Sequence, residues 1–308
     1  MRVLVTGGAG FIGSHTVDAL LAAGHQVGVI DDLSTGKREN VPAAAEAVYA
    51  DLSSPEAAAF VVRFRPEAAL HLAAKVSVRT SIEDPVHDAR TNVLGTLALL
   101  EACRQAGTRA LVFASTGGAM YGTARTFPIP ETTPTEPESP YGCAKLAAEG
   151  YLGMYRRVHG MTTCALRYAN VYGPRQDPHG EAGVVAIFAL RCRAGEPLLI
   201  HGDGSQTRDY VHVSDVVAAN LAALKAGLEG AYNVGTGVES DVSTVARHLL
   251  ALSGNKAGVR HGPERKGDIP RSALDATRLR AATGWAPRLS LAEGLAQTWA
   301  WFRERPGA

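Results

Sequence analysis

The sequence has few of the residues that cross-link small folds or bind metal ions. Only 4 of its 308 residues are cysteines, and no two of them form a C-x-x-C pair. Cysteines spaced this widely predict neither a disulfide framework nor a set of zinc ligands. We expect no bound metal and four buried, reduced thiols, at Cys103, Cys143, Cys164 and Cys192.

An excess of charge of either sign is also absent. The 31 lysines and arginines balance the 30 aspartates and glutamates, and a net charge of +1 provides no broad field that would attract nucleic acid. The sequence contains no run of about 18 apolar residues, which a membrane-spanning helix requires. It opens directly on Met1–Thr6 without the pattern of a secretion signal. We therefore expect a cytoplasmic protein that binds neither nucleic acid nor a membrane.

The first half of the chain alternates short β-branched runs with longer amphipathic segments. This alternation is typical of βαβ units around a parallel sheet. The predicted strands are Val3–Thr6, Val27–Ile30, Ala47–Ala50, Ala69–Leu72, Ala110–Ala114 and Thr163–Arg167, and the predicted helices are Phe11–Ala23, Pro55–Arg65, Val86–Ala106 and Pro140–Val158. The sequence thus predicts an α/β fold with a doubly wound parallel sheet, the Rossmann arrangement.

The regular pattern fades after residue 170. Gly-Pro and Asp-Pro-His-Gly turns and short mixed elements follow. We expect residues 1–170 to form a dinucleotide-binding domain and residues 171–308 a smaller α/β substrate domain. Within the latter, residues 209–237 contain a strand, a helix capped by Ser214 and a second strand, and this segment is expected to return to the first sheet.

A glycine-rich segment follows the first predicted strand. Residues 7–13 read GGAGFIG and lead directly into a predicted helix, and Asp31 ends the second strand 18 residues beyond Gly13. Glycines let a pyrophosphate approach the amides at the helix N-terminus, where the dipole favours negative charge. The Asp31 carboxylate would bind an adenosine ribose and repel a 2′-phosphate, so the pattern favours NAD over NADP. Asp32 is either solvated or a second ligand, and Asp51, which follows the third strand, is placed to reach an adenine amino group.

Tyr141 and Lys145 lie four residues apart after Ser139-Pro140, a typical helix start. Side chains at this spacing share one helix face. A phenol with its ordinary pKa near 10 needs a shift of roughly 3 units to act as a base at neutral pH. A lysine ammonium and an oxidised nicotinamide ring would both favour the phenolate.

Several motifs together resemble the extended short-chain dehydrogenase/reductases, and within them the UDP-glucose 4-epimerase family. The resemblance covers the chain from Met1 to about Trp299. It rests on TGGAGFIG, Asp31, Asp51-Leu52, His71-Leu-Ala-Ala74, Asn92-Val-Leu-Gly-Thr96, Ser115-Thr116, Tyr141-x-x-x-Lys145 and Arg167-Tyr-Ala-Asn170.

The resemblance implies a role for each matching residue. Tyr141 is implied as the base, Lys145 as its partner and Thr116 as the hydroxyl that shuttles the proton, with Ser115 as the other candidate for that hydroxyl. The implied NAD ligands are Gly7, Gly10, Phe11, Ile12, Gly13, Asp31, Asp32, Asp51, Leu52, Leu72, Ala73, Ala74, Asn92, Tyr141, Lys145 and Tyr168. The implied ligands of a UDP-sugar are Thr116, Tyr141, Asn170, His201, Arg208, Arg265, Asp268 and Ser272.

The implied reaction is transient oxidation of the sugar at carbon 4 by NAD, followed by return of the hydride to the opposite face. Related dehydratases carry Asp-Glu directly after the threonine, where this chain has Gly117-Gly118.

The side chain of Ser272 is small, which predicts room for an N-acetyl group on the sugar. The alternatives are a related epimerase or reductase acting on a uronic acid or a pentose, and a non-catalytic NAD-sensing or RNA-associated relative. Lys75 is placed to contact either the cofactor phosphates or an acidic substrate, which leaves the uronic acid open. The resemblance also implies a homodimer, because the predicted helices Val86–Ala106 and Pro140–Val158 correspond to the pair that forms the dimer interface in many relatives.

Overall fold

The computed structural model describes residues 1–179, 183–264 and 269–305. Its strands are β1 (Arg2–Thr6), β2 (Gln26–Asp31), β3 (Glu46–Tyr49), β4 (Ala68–His71), β5 (Ala110–Thr116), β6 (Thr162–Tyr168), β7 (Asn170–Tyr172), β8 (Leu198–His201), β9 (Thr207–His212), β10 (Gly230–Val234), β11 (Glu239–Asp241) and β12 (Val259–Gly262). Its helices are α1 (Phe11–Ala22), α2 (Pro55–Phe64), α3 (Val78–Glu83), α4 (Pro85–Ala89), α5 (Gly95–Ala106), α6 (Pro140–His159), α7 (Val184–Ala194), α8 (Val213–Ala226), α9 (Val242–Ser253), α10 (Thr277–Thr283) and α11 (Leu291–Glu304).

Seven parallel strands form the central sheet in the order β10-β6-β5-β4-β1-β2-β3. Successive residues of β1 pack on opposite faces: Val3 and Val5 join a core with α1 and α8, whereas Leu4 joins a core with α2, α5 and α6. A strand buried on both faces explains the nearly continuous apolar runs in the sequence. The predicted doubly wound parallel sheet is confirmed.

The segment after residue 170 builds smaller elements beside this sheet. Strands β11, β9 and β7 form a three-stranded sheet, and β12 pairs with β8. A third core lies among α7, α9 and α11. Strand β10 pairs in parallel with β6, so this part of residues 209–237 does extend the central sheet, whereas β9 does not.

Three local predictions are wrong. The cap of α8 is His212, whose side chain accepts from the Ser214 backbone N–H, and not Ser214. Cys143 is exposed, while the other three cysteines are buried. The single helix predicted over Val86–Ala106 is divided into α4, a π-helical turn at Arg90–Leu94 and α5.

The π-helical turn has a tertiary cause. The Asn92 side chain accepts from the Lys75 backbone N–H (3.0 Å) and donates to the Lys75 carbonyl oxygen (2.9 Å), which ties the turn to the loop after β4. The Thr96 hydroxyl donates to the Asn92 carbonyl oxygen (2.7 Å). Single π-helical turns often occur at functional sites, where they redirect one side chain.

Candidate active site

The glycine loop joins β1 to α1 at the carboxyl edge of the sheet. Gly7 has a φ of +69°, and a Cβ on residue 13 would overlap the Gly7 carbonyl oxygen. Helix α1 has neither a side-chain cap nor an acidic residue in its first turn. Its N-terminal amides and the positive end of its dipole are therefore available to an anion, and the loop fits the phosphates of a dinucleotide.

Asp31 lies at the end of β2 beside this loop and is only 6% exposed. Its carboxylate accepts from the backbone N–H groups of Ala9 (2.9 Å) and Leu33 (2.8 Å). Burial raises the pKa of Asp31, and these two hydrogen bonds oppose the rise. A carboxylate has about four acceptor positions, so Asp31 retains capacity for ribose hydroxyls.

Asp32 and Asp51, the other two acids expected to bind NAD, are exposed. Asp32 accepts from the backbone and hydroxyl of Ser34, and Asp51 accepts in the same way from Ser53. Each carboxylate thus closes its own exposed turn through one oxygen, and its second oxygen is free of these bonds.

Helix α6 carries Tyr141 at its start. Ser139 caps the helix by accepting from Gly142 N (3.1 Å), and Ser81 of α3 accepts from Tyr141 N (3.2 Å). The Thr116 hydroxyl, at the end of β5, lies near the Tyr141 phenol. Burial raises the pKa of Tyr141 to about 12, and the nearby Thr116 hydroxyl opposes that rise. Ser81 is a contact that the sequence motifs did not indicate.

Lys145 lies one turn further along α6. Its Nζ is 5.8 Å from the centre of the Tyr141 ring and donates to the Ala114 carbonyl oxygen (2.9 Å). The side chain is only 2% exposed, and burial lowers the pKa of Lys145 to about 8. Phenol and amine thus share a buried site in which each charge favours the other.

Ser115 and Thr116 lie on opposite faces of β5, as successive residues of a strand must. The Ser115 hydroxyl donates to Glu149 Oε1 (2.6 Å), and Glu149 forms a buried ion pair with Arg167 (2.6 Å). Of the two candidate hydroxyls, the structure brings only Thr116 to Tyr141.

The remaining expected cofactor residues line the same edge. Leu72, Ala73 and Ala74 follow β4, and Leu52 follows β3. A Cβ on residue 7 would lie 2.7 Å from Ala73 N, so this loop passes directly over the glycines. Asn92 uses its side chain on Lys75 and Asp88, and the Tyr168 hydroxyl donates to Asn220 of α8. Direct contact of these last two with a cofactor would therefore involve other atoms of the residues.

Expected substrate residues lie on the adjoining three-stranded sheet. Asn170 of β7 pairs with Tyr210 of β9, and Arg208 shares a face of β9 with Tyr210. The Tyr210 hydroxyl is buried and has no hydrogen-bond partner among the described residues. A buried, unpaired hydroxyl beside an arginine makes Tyr210 a candidate ligand residue that the motifs did not indicate, although its spacing of two from Arg208 was a usable signal.

Two other expected substrate residues, Ser272 and His201, lie outside this sheet. Ser272 is buried, and His201 is bonded through Nδ1 to the Pro263 carbonyl oxygen (3.1 Å). Arg265 and Asp268 lie outside the described residues.

Gly117 follows Thr116 where a dehydratase carries an acid. A Cβ on residue 117 would overlap Leu274 Cδ1 and lie 2.8 Å from Leu274 Cδ2, and Leu274 is fully buried. The same construction at Gly118 meets nothing within 4 Å. Leu274 therefore occupies the space that a side chain on residue 117 would need.

Within the described ranges, no group of three or more His, Cys, Asp or Glu residues could hold a metal ion. In the same ranges, none of the helices combines the length and the apolar character needed to cross a bilayer.

Comparison with known proteins gives full-length matches. The UDP-glucose 4-epimerase of Mycolicibacterium smegmatis is 48% identical over 311 residues and covers 99% of both chains. The structure of UDP-glucose 4-epimerase with UDP-glucose from Thermotoga maritima is 47% identical, with a TM-score of 0.97 over 99% of both chains. The UDP-glucose 4-epimerase of Thermus thermophilus, in complex with NAD, is 49% identical, with a TM-score of 0.94 over 99% of both chains.

The model of the NAD-dependent epimerase/dehydratase family matches residues 3–235, which is most of the chain. The matched range contains the glycine loop, Asp31, Thr116, Tyr141 and Lys145. The chain therefore belongs to the NAD-dependent epimerase/dehydratase family.

Proposed function

We propose that the protein is a UDP-glucose 4-epimerase, which interconverts UDP-glucose and UDP-galactose with bound NAD. The observation that carries the proposal is the half-buried Tyr141, whose phenol lies near the Thr116 hydroxyl and adjacent to Lys145, at the sheet edge that also holds the glycine loop. The full-length similarity to epimerases from three bacteria supports the same reaction.

The cofactor site would use the chain's own donors and one acid. The α1 amides would hold the pyrophosphate, and Asp31 would accept from the adenosine ribose. NAD bound here would supply the acceptor and donor of the carbon-4 hydride and a positively charged ring. We propose that residues 1–170, with α8 and β10, form this NAD-binding domain and that the remainder of 171–308 binds the substrate.

The chain supplies the proton chemistry. Tyr141 takes the proton of the sugar 4-hydroxyl and returns it to the epimerised oxygen. Thr116 donates a hydrogen bond to the phenolate and passes the proton between it and the sugar, and the Lys145 ammonium stabilises the anion. Ser115 supports the strand from the opposite face through Glu149. Exclusion of water by the buried pair protects the ketone intermediate.

The diphosphate would meet Arg208, Tyr210 and Asn170, because an arginine fork and an unpaired hydroxyl suit phosphate oxygens. Arg265 and Asp268 complete the proposed nucleotide contacts on the basis of the resemblance, and His201 is proposed to stack on uracil. Buried Ser272 is small, so we propose that N-acetylated sugars are also accepted.

Two observations disfavour other reactions. Residues 117 and 118 are glycines, and Leu274 fills the space beside Gly117, so neither position supplies an acid for the elimination of water. Lys75 Nζ donates to Ser34 Oγ (2.9 Å) and lies 3.9 Å from Asp32, so its charge is directed to the cofactor side and not to an acidic sugar.

We also propose a homodimer. Helices α3, α4 and α6 and the π-helical turn, which pack together, carry exposed apolar side chains at Val78, Ile82, Val86, Leu94, Tyr151 and Val158. Patches of this kind mark protein interfaces. A cytoplasmic location belongs to the proposal because unpaired thiols suit a reducing compartment.

An NMR time course with a panel of UDP-sugars tests the reaction. UDP-glucose should yield UDP-galactose without added NAD, since the cofactor is regenerated within each turnover and remains bound. Stoichiometric build-up of NADH, or turnover only of UDP-glucuronate or UDP-xylose, would contradict the proposal.

A further inference from the structure

Helix α4 has a single inward-facing side chain, and that side chain is an acid. The helix starts at Pro85 and is capped by Asp84, which accepts from His87 N (2.9 Å). Asp88 is the buried residue of this helix and is 3% exposed, whereas Val86, His87 and Ala89 are exposed. A short surface helix ordinarily buries an apolar residue at such a position, so the carboxylate requires an explanation.

The carboxylate is only half satisfied. Asp88 Oδ1 accepts from Asn92 Nδ2 at 2.9 Å, and Asn92 is itself fixed by Lys75. Asp88 Oδ2 is buried and has no hydrogen-bond partner among the described residues. An unpaired buried oxygen is costly unless a nearby charge compensates for it.

The nearby positive charge is Lys145. Helix α4 packs against α6, and within the described part of the chain Lys145 Nζ donates to one acceptor, Ala114 O. Glu149, one turn further along α6, is already neutralised by Arg167 and Ser115. Among the described residues, Asp88 is therefore the remaining buried carboxyl group on an element packed against α6 near the ammonium. Burial raises the pKa of Asp88, and the Asn92 hydrogen bond and the Lys145 charge oppose that rise.

None of the other described ionisable groups around α4 supplies a buried negative charge to Lys145. Arg79 and Glu83 of α3 form an exposed pair (3.1 Å), and His87 and Arg90 are exposed. His71 is buried behind Lys145, and burial lowers its pKa to about 3, so it is neutral.

We propose that Asp88 is a positioning residue that keeps Lys145 charged inside the protein and thereby sets the pH range in which the Tyr141–Lys145 pair works. This inference rests on the proposed function. The directions of the pKa shifts agree with it, because Asp88 raises the pKa of both Lys145 and Tyr141. Removal of its charge should therefore move both ionisations towards lower pH.

The test compares the pH profiles of UDP-glucose epimerisation for the full-length wild type and Asp88→Asn. Asparagine keeps an oxygen for Asn92 and removes the charge. Both limbs of the profile should shift to lower pH by roughly 1 unit, the size expected for one nearby charge. Asp88→Glu should restore the wild-type limbs, and Asp84→Ala, which weakens the cap of the same helix at an exposed position, should leave them unmoved.

A second measurement separates this inference from the proposed reaction. The affinity for NAD should depend on the charge of Lys145. The pH midpoint of NAD binding should therefore shift to lower pH in Asp88→Asn, even if no UDP-sugar is turned over. If Asp88→Asn does not fold, Asp88→Ser provides the same comparison. The proposal is overturned if the limbs of the pH profile and the midpoint of NAD binding stay at their wild-type pH while activity or the unfolding temperature is uniformly reduced. Asp88 would then be a purely structural residue.

Discussion

Ser115 and Thr116 are adjacent in sequence, but their hydroxyls serve different partners on opposite faces of β5. Ser115 donates to Glu149 at 2.6 Å, and the Thr116 hydroxyl lies near the phenol of Tyr141. The pleat of the strand, and not the motif, decides which hydroxyl can take part in proton transfer.

Separate substitution of the two hydroxyls should therefore have different effects. Thr116→Val should lower kcat by about 10²-fold or more, because it removes the proton relay to Tyr141. Ser115→Ala should keep kcat within a few-fold and lower the free energy of unfolding by about 1 to 2 kcal/mol, because Glu149 loses a buried donor. Steady-state kinetics and urea unfolding of both variants measure these effects. Equal loss of kcat in the two variants would argue against the assignment of Thr116.

The two glycines after Thr116 form a matched pair for a test of packing. Gly117→Ala should destabilise the fold by about 1 to 3 kcal/mol and lower kcat, because the added methyl overlaps buried Leu274. Gly118→Ala should have little effect, since nothing lies within 4 Å of the added atom. Thermal unfolding of both variants checks this, and a Gly117→Ala protein as stable as wild type would show that Leu274 can move aside.

His71 should make the protein sensitive to acid. Its Nδ1 lies 2.7 Å from Thr6 Oγ1 and its Nε2 lies 2.9 Å from Thr96 Oγ1. Because the Thr96 hydroxyl already donates to Asn92 O, it accepts from Nε2–H. Burial keeps the imidazole neutral, so Nδ1 accepts from the Thr6 hydroxyl.

The pKa of His71 differs between the folded and the unfolded protein, and this difference sets the direction in which stability changes with pH. Burial lowers the pKa of His71 from 6.5 to about 3 in the folded protein, so between these values the unfolded chain binds the additional proton. Stability should fall as the pH falls below about 6.5, by about 2 kcal/mol at pH 5 for this group alone. His212, with a pKa lowered to about 4, acts in the same direction.

Urea unfolding at pH 7 and pH 5 measures this dependence. His71→Gln should reduce the loss between the two pH values by about 2 kcal/mol, whereas the same change at exposed His159 should not. An unchanged pH dependence in His71→Gln would contradict the neutral, buried assignment.

Local patterns in the sequence predicted those features that local physics determines. The apolar runs of β1 to β6, the glycine loop and the four-residue spacing of Tyr141 and Lys145 need no knowledge of distant contacts. The doubly wound sheet and the clustering of these residues at its carboxyl edge follow from those patterns.

Features that depend on tertiary contacts could not be predicted in this way. The division of the helix predicted over Val86–Ala106 depends on the bonds of Asn92 to Lys75, 17 residues earlier in the chain. The contact of Ser81 with Tyr141 N joins residues 60 positions apart. The unpaired oxygens of Asp88 and Tyr210 become visible only when their surroundings are known.

The central claim is that the Tyr141 phenol moves the proton of the sugar 4-hydroxyl. Tyr141→Phe keeps the ring beside Lys145 and removes only this oxygen, so its rate of UDP-galactose formation from UDP-glucose is the most direct measurement. We expect a loss of at least about 10³-fold in kcat, with an unchanged unfolding temperature and retained NAD. A folded, NAD-bound Tyr141→Phe enzyme that works within tenfold of the wild-type rate would contradict it.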